Sequence, residues 1–337
     1  MIRIRLYYIV IFISVFFLFL SCEEEIDLSI NSSSDQLVVE GFIQKDYPAY
    51  VFLSTTEAYF SPIDSNTINN VIVADAQIYV ERDDGLVHQL TYLDQNLIDS
   101  LSFIFDSLEL NLPGIYIDLS YQQDNFSQEG YKYKLIVIHN SDTITARTSI
   151  PPPFPIDSLW VQKKDSVVND YKCYIWARVS DPDTSGNCVG IHFKRKLHWK
   201  PMDPLFVPCA LTYRADYIGN GESFPTYFAR SGRPDDDDGF FLPFNADRIV
   251  DGEFRKRDVV LLRISHMDQN SYNFWRGVER AQDASGNPFA EPMNLMSNIN
   301  GGLGVWGGYG VSYYYVPIVP DTVIYNTYND LEIWEIF

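Results

Sequence analysis

The residue with the clearest chemical role in this sequence is Cys22, which stands where a lipoprotein export signal would end. Arg3 and Arg5 give a positively charged start, an uncharged apolar run follows at 6–20, and Ser21 places a small residue before the cysteine. This order is typical of a signal segment that is removed during secretion. A cysteine at the cleavage point predicts acylation of its thiol.

The apolar run does not fit a membrane span. A spanning helix needs about 20 apolar residues, whereas this run is shorter and is followed by three acidic residues, Glu23, Glu24 and Glu25. Each buried methylene of a lipid chain contributes roughly 0.8 kcal/mol, so a few acyl chains would hold the protein on a membrane. We expect a lipid-anchored protein that does not span the membrane, and the alternative is an ordinary cleaved secretory signal.

The three cysteines that follow Cys22 allow at most one internal disulfide. In a strand-like run Cys173 shares a face with Ile175, Ala177 and Val179, which predicts that it points into the core. Cys188 falls on the side of the next strand away from its apolar residues, and both Cys188 and Cys209 lie near loops. Disulfides persist in exported proteins, so the pairing that we favour is Cys188 with Cys209.

Four consecutive acidic residues raise the question of a cation site. Oxygen-rich acidic loops bind hard cations such as calcium, and this run consists of Asp235, Asp236, Asp237 and Asp238. Consecutive side chains diverge, however, and the spaced ligands of a calcium-binding loop are missing. We favour a solvated acidic loop, and a metal site at these four residues is the alternative.

A glycine-rich segment late in the chain is the best candidate for contact with a ligand or partner. Gly302–Gly307 has the spacing of a dinucleotide-binding loop, but it runs into a strand pattern at 311–315 where such a loop would open a helix. We interpret the glycines as permissive backbone positions beside packed aromatic rings. Such rings most often fill a core and otherwise contact partners, and the candidate contacts are Trp306, Tyr309 and Tyr313.

Enzyme motifs are missing from the sequence. It contains no HExxH, GxSxG or Walker loop, and its five histidines are scattered. We predict no catalytic site and no cofactor, and a hydrolase with dispersed residues is the least favoured hypothesis.

Net charge excludes one class of partner. The formal charge is −20, and it becomes −22 once Arg3 and Arg5 leave with the signal segment. Nucleic-acid binding needs clustered cationic side chains that neutralise phosphates, so we predict no nucleic-acid partner. An acidic surface also disfavours lying flat on anionic lipid.

The strand patterns predict a mainly all-β protein. We divide it into a signal segment at 1–22, a flexible acidic tether at 23–36, a β-sandwich domain at 37–150 and a second β-rich domain at 151–337. The boundary is placed at Pro151–Pro153, because consecutive prolines cannot continue a sheet ladder. Apolar residues at helical spacing between Asp268 and Gly286 predict one helix near 269–283, packed against a sheet.

The order of several short motifs resembles a family of Bacteroidota outer-membrane lipoproteins catalogued as domain of unknown function 4249. The likeness covers nearly the whole mature chain, and it is carried by Cys22 with its acidic stretch and by the segments Leu37–Gly41, Asp83–Gly85, Gly130–Tyr133, Ser271–Trp275 and Gly302–Gly304. The first half also resembles small β-sandwiches of the immunoglobulin and transthyretin type.

This resemblance implies a function, which we state as an expectation. The family likeness implies a cell-surface lipoprotein that accompanies a TonB-dependent β-barrel transporter or another outer-membrane complex, with Glu23–Glu25 as the surface-export tag and an unknown ligand. The leading hypothesis is therefore a non-enzymatic binding accessory. The alternative is a stand-alone adhesive or structural surface lipoprotein, because tandem β-sandwiches also serve that purpose.

Overall fold

The structure is a computed structural model, and it describes residues 36–56, 71–94, 114–163, 172–183, 186–196, 206–215, 221–229, 254–284 and 294–324. Cys22, the Glu23–Glu25 tag and the acidic run Asp235–Asp238 lie outside the described residues. Within these ranges, no group of three or more His, Cys, Asp or Glu side chains is arranged to hold a metal ion.

The described chain is mainly β, as the sequence predicts. Its strands are β1 Leu37–Gln44, β2 Tyr50–Thr55, β3 Gln77–Arg82, β4 Val87–Leu93, β5 Ile115–Ile117, β6 Lys132–His139, β7 Asp142–Ser149, β8 Ile156–Lys163, β9 Lys172–Ser180, β10 Cys188–Lys196, β11 Val207–Ala215, β12 Ser223–Phe228, β13 Phe254–Arg255, β14 Val259–Met267, β15 Leu303–Pro317 and β16 Val323–Ile324. A short 3₁₀ turn covers Gln123–Asn125, and the helix α1 covers Gln269–Ala284. The predicted helix is thus confirmed, and within the described ranges no helix is both long and apolar enough to cross a membrane.

Local sequence patterns explain the hairpins. In β3, Ile78 and Val80 are fully buried while their neighbours are more exposed, which is the alternation of a strand with one face on a core. The turn that follows ends at Gly85, whose φ of 92° lies in the region that glycine adopts without strain. Polar turn residues and alternating apolar positions therefore suffice to form the β3–β4 hairpin.

Two sheets arrange these strands. The larger sheet has eleven strands in the order β11-β10-β14-β15-β1-β2-β5-β4-β3-β6-β7, and the smaller has the order β12-β9-β8-β16 with β13 also paired to β9. β15 is the central connection of the larger sheet, because it pairs in parallel with β1 and antiparallel with β14. The first and last parts of the described chain are therefore hydrogen-bonded to each other.

The larger sheet is curled, so that its last strand, β7, lies beside β15 and the residues just before it. The backbone groups of Thr145 and Asn300 exchange two hydrogen bonds of 2.7 and 3.1 Å, and Gly308 N donates to Thr148 Oγ1 at 2.7 Å. The first core lies inside this curl and includes Val39, Tyr133 and other apolar side chains of the β1–β7 region.

A second core lies between the two sheets. Ile175 of β9 and Leu262 of β14 belong to it, as do Tyr314 and Val316 of β15. The predicted boundary at Pro151–Pro153 does separate most residues of the two cores. It does not separate two independent bodies, because β15 contributes to both cores and residues 35–337 form one compact unit.

The structure overturns the prediction that Trp306 contacts a partner. Its side chain is fully buried in the first core, where its indole Nε1 donates to the backbone oxygen of Tyr133 at 3.2 Å. Gly41 makes room for the ring, since a Cβ at that position would lie 2.7 Å from Trp306 Cε3. A side chain with no exposed surface cannot meet a ligand. Trp306 therefore fills the core, which is the other role stated above for such rings.

The predicted disulfide between Cys188 and Cys209 is wrong. Cys209 is buried in the second core, whereas Cys188 lies on the other face of the sheet with Met267 and Tyr309. The Sγ of Cys188 donates to Gly186 O and to Gln269 Oε1, each at 3.5 Å. Two thiols on opposite faces of a sheet cannot approach to bonding distance. Cys173 points into the second core, as predicted.

Replacing Trp306 with alanine tests its role in the core. We expect Trp306→Ala to lower the free energy of unfolding by about 3–5 kcal/mol, because a large ring is lost and a cavity remains. Urea unfolding followed by circular dichroism measures this loss. Met296→Ala is the control, since Met296 is 65% exposed and its truncation should change stability by less than about 0.5 kcal/mol. A Trp306→Ala variant as stable as this control would contradict the assignment.

Candidate functional site

A cavity lined by described residues lies on the outer face of the larger sheet, beneath α1. Its volume is about 450 Å³, and side chains from β1, β2, β10, β11, β14, β15 and α1 line it. This size is in the range of cavities that hold small molecules. The cavity lies where the strands of the two cores meet. It is on the face of β15 that points away from both cores.

Helix α1 is positioned over the cavity by its first turn and by one aromatic pair. Asp268 caps the helix, because its carboxylate Oδ1 accepts a hydrogen bond of 2.8 Å from Ser271 N. Trp275 then donates its indole N–H to Tyr309 Oη at 2.9 Å. This bond joins the helix to β15, and the apolar face predicted from the helical spacing packs against the sheet.

Stacked aromatic rings form the wall of the cavity nearest the helix. The ring of Phe42 stands 4.9 Å from that of Tyr50, 5.3 Å from that of Tyr309 and 5.8 Å from that of Trp275, all in stacked geometry. Rings at these distances attract each other beyond the area that they bury. The wall is therefore a preformed apolar surface.

One glycine makes room for this wall. A Cβ on Gly307 would lie 2.3 Å from Tyr309 Oη, so the Tyr309 side chain would have to shift. The glycine-rich segment therefore brings an aromatic ring close to the sheet, which agrees with the interpretation drawn from its sequence, and Gly307 lies within strand β15 rather than at the start of a helix.

Polar side chains cross the floor of the cavity. His192, Arg263 and Tyr313 are direct neighbours on β10, β14 and β15. The guanidinium of Arg263 lies 4.4 Å from the ring centroid of Phe206, which is a cation–π distance. Gln44 Nε2 donates to Tyr313 Oη at 3.3 Å. The floor thus presents a cation, an imidazole, hydroxyls and an amide beside the aromatic wall.

Burial and nearby charges shift the pKa values of groups in the cavity. Burial is the main cause that raises the pKa values of the Tyr50 and Tyr213 hydroxyls far above their usual range. Smaller effects come from the Arg263 charge, which lowers both pKa values, from the Glu40 carboxylate, which raises both, and from Glu279, which raises that of Tyr213. The side chain of Glu40 is exposed, and partial loss of solvation raises its pKa. Both tyrosines are consequently neutral hydrogen-bond donors at physiological pH.

The three residues predicted to contact a partner lie in different places in the structure. Tyr309 lines the cavity and Tyr313 borders it, whereas Trp306 points to the first core. Sequence reasoning missed Glu40, Arg263 and the residues of the other strands. The sequence of β1 did contain a usable signal. Its apolar residues form one face of the strand, and Glu40, Phe42 and Gln44 alternate with them on the other face, which lines the cavity.

A buried histidine cluster elsewhere has the composition of a catalytic triad but not its geometry. His88 Nδ1 lies 2.8 Å from Asp118 Oδ2 and 3.2 Å from Ser120 Oγ. In a triad the serine and the carboxylate occupy different nitrogens of the imidazole. Here both contact the same nitrogen, and the ring stacks on Phe126 at 3.8 Å. This cluster therefore ties β4 to the segment after β5 and has no arrangement for proton relay.

Fold and site together define a mainly β protein with a preformed, aromatic-walled cavity of ligand size. A family model described as Domain of unknown function (DUF4249) matches residues 23–314. The chain therefore belongs to this family, as the motif order predicts. No curated protein matches the chain.

The protonation of His192 gives a test of the cavity's environment. Burial, and secondarily the charge of Arg263, lowers the pKa of His192 well below its ordinary value of 6.5. The unfolded chain binds a proton that the folded protein excludes, so this histidine reduces the free energy of unfolding as pH falls below about 6.5. We expect His192→Gln to lose less stability than the wild type between about pH 7 and pH 5.

Urea unfolding at a series of pH values measures this difference. The comparison uses the change in free energy of unfolding with pH for each protein, so a constant effect of the substitution on stability cancels. Parallel curves for the two proteins would show that His192 is protonated as readily in the folded chain as in the unfolded one, and would contradict its placement in a desolvated cavity.

Proposed function

We propose that this protein is a non-enzymatic, lipid-anchored binding protein of the outer membrane that captures a small molecule in the cavity beneath α1 and acts as an accessory of a TonB-dependent β-barrel transporter. The cavity is the observation that carries the binding role. It combines a suitable volume, stacked aromatic walls and a few converging polar groups, which is the usual composition of a small-molecule site.

Lipid anchoring is supported by the sequence around Cys22. The family match begins at residue 23, directly after the cysteine. This start is what we expect if the preceding residues are a signal segment and the family comprises the mature chain. Acylation of Cys22 then supplies the anchor, and Glu23–Glu25 supplies the tag for display on the cell surface.

The transporter partner is supported by the resemblance of the motif order to lipoproteins that accompany such transporters. A strongly acidic surface, with a formal charge of −22 after loss of the signal segment, is compatible with this arrangement because it keeps the folded part away from anionic lipid. In this role the lipoprotein concentrates a ligand beside the transporter and needs no catalytic residues.

One observation favours a second candidate, an adhesive surface protein. The smaller sheet carries a row of aromatic rings on its outer face: Trp160 and Trp176 stack at 6.2 Å, and Tyr227, which is 46% exposed, lies 5.3 Å from Trp176. Exposed aromatic patches often mark interaction surfaces. A flat row of this kind suits attachment to an extended surface better than capture of a small molecule.

Purification from native membranes distinguishes the two candidates. We expect tagged, lipidated protein in mild detergent to carry a stoichiometric β-barrel protein that mass spectrometry identifies. We expect Cys22→Ser to leave the membrane fraction, because it removes the acylation site, while Cys188→Ala remains there as the matched cysteine control. Wild-type protein that purifies alone would contradict the accessory role and favour adhesion.

A further inference from the structure

We infer that the cavity beneath α1 takes an uncharged carbohydrate of one or two sugar rings, which packs a C–H face on the aromatic wall and hydrogen-bonds through its hydroxyls. This inference names the ligand class and rests on the proposed function of the cavity as a binding site. It follows from three features of the lining: aromatic rings from several elements, uncharged hydrogen-bonding side chains around them, and charged side chains that already have partners or water.

Aromatic rings from three elements contribute to the lining. The ring of Trp275 on α1 is inclined by 25° to that of Phe42 on β1 and by 13° to that of Tyr213 on β11, at centroid distances of 5.8 and 6.4 Å. All three side chains are half-buried and line the cavity, so part of each can meet a ligand. The face of an aromatic ring carries partial negative charge. Because the C–H groups on the face of a sugar ring carry partial positive charge, the two kinds of face attract each other.

Uncharged hydrogen-bonding side chains surround these rings. They come from four elements and comprise Gln44 on β1, His192 on β10, Ser265 on β14 and Gln282 on α1. Burial lowers the pKa of His192, so its imidazole is uncharged at neutral pH. An amide, a hydroxyl and a neutral imidazole can each both donate and accept a hydrogen bond. A ligand hydroxyl has the same double capacity and therefore suits every one of these side chains.

The charged side chains of the lining do not require an opposite charge on the ligand. Glu279 forms an ion pair with Arg276, three residues earlier on α1. Glu40 is exposed to solvent, and Arg263 packs against the ring of Phe206 at 4.4 Å and makes further interactions within the protein. A ligand with a net charge would meet fixed charges of both signs, whereas an uncharged ligand meets no like charge. The two carboxylates can still accept hydrogen bonds from ligand hydroxyls.

A sugar ring fits this lining better than other uncharged ligands do. Its faces are covered by C–H groups, and its hydroxyls point outward all round its edge. It can therefore pack on Trp275 and reach polar side chains on several strands and on α1 at the same time. An apolar chain with one polar end would bring a polar group to only one side of the cavity and would leave the other polar side chains without partners.

Isothermal titration calorimetry on the detergent-solubilised, full-length lipoprotein tests this ligand class. The probes are maltose, cellobiose, xylobiose and diacetylchitobiose, and the detergent has no sugar head group that would compete with them. We expect at least one of these disaccharides to bind with equal affinity at about 50 mM and about 500 mM sodium chloride, because salt screens charges and a neutral ligand brings none. Binding of none of the disaccharides to folded protein, or an affinity that falls with salt, would overturn the inference.

Two variants test whether the disaccharide occupies this cavity. Phe42→Leu keeps an apolar side chain but removes an aromatic face, and we expect it to weaken binding by about three- to tenfold. Gln282→Leu removes an amide from an exposed helix position, and we expect a similar loss because a hydrogen bond disappears.

Matched exchanges away from the cavity serve as controls. Phe224→Leu on β12 and Gln89→Leu on β4 alter exposed residues outside the lining and should leave the affinity unchanged. Gln282→Leu carries the test by itself if Phe42→Leu fails to fold. Unchanged affinity in every folded cavity variant would overturn the assignment of the sugar to this cavity.

Two outcomes separate this inference from the proposed function. If leucyl-phenylalanine binds but no disaccharide does, and the β-barrel protein still copurifies, the ligand class is wrong and the accessory role stands. If a disaccharide binds with the expected variant effects and the protein purifies alone, the carbohydrate site stands and the accessory role is wrong.

Discussion

The pairing of β15 with its neighbours is the constraint on which the rest of the structure depends. This fifteen-residue strand pairs in parallel with β1 and antiparallel with β14, so it joins the first core, the second core and the cavity into one unit. Its backbone also passes very close to the chain that connects the two cores. A Cβ on Gly308 would lie 2.2 Å from Ser149 O, and one on Gly310 would lie 2.2 Å from Pro151 O. Only a strand rich in glycine can make this approach.

The two faces of β15 separate the two cores from the proposed binding cavity. Because side chains alternate along a strand, Trp306, Tyr314 and Val316 point to the two cores, whereas Tyr309 and Val311 point to the cavity. The cavity therefore rests on a strand whose other face is fixed by packing. A site supported in this way holds its shape before a ligand arrives, which reduces the ordering that binding requires.

Placing charges in such a cavity has a cost in stability. Burial shifts the pKa of His192 against its charged form, so the cavity disfavours charge at this position. Proteins often accept this kind of cost where a site must recognise a ligand. The buried His88–Asp118 pair presents the contrasting case, because its hydrogen bonds satisfy the groups involved and tie two strands together.

The sequence alone determined the mainly β class, the helix near 269–283, the family and the core-facing side of Cys173. These depend on local patterns: alternation, helical spacing, turn residues and motif order. Tertiary structure decided what each aromatic and cysteine does. The roles of Trp306 and Tyr309 differ because their side chains lie on opposite faces of β15. Cys209 reaches the second core while Cys188 lies on the opposite face, because a register irregularity between Gly190 and His192 breaks the simple pairing of β10 with β11. The cavity collects residues from six strands and a helix, from Glu40 to Val311. Contacts between residues so far apart depend on strand order and sheet curvature, which no local pattern encodes.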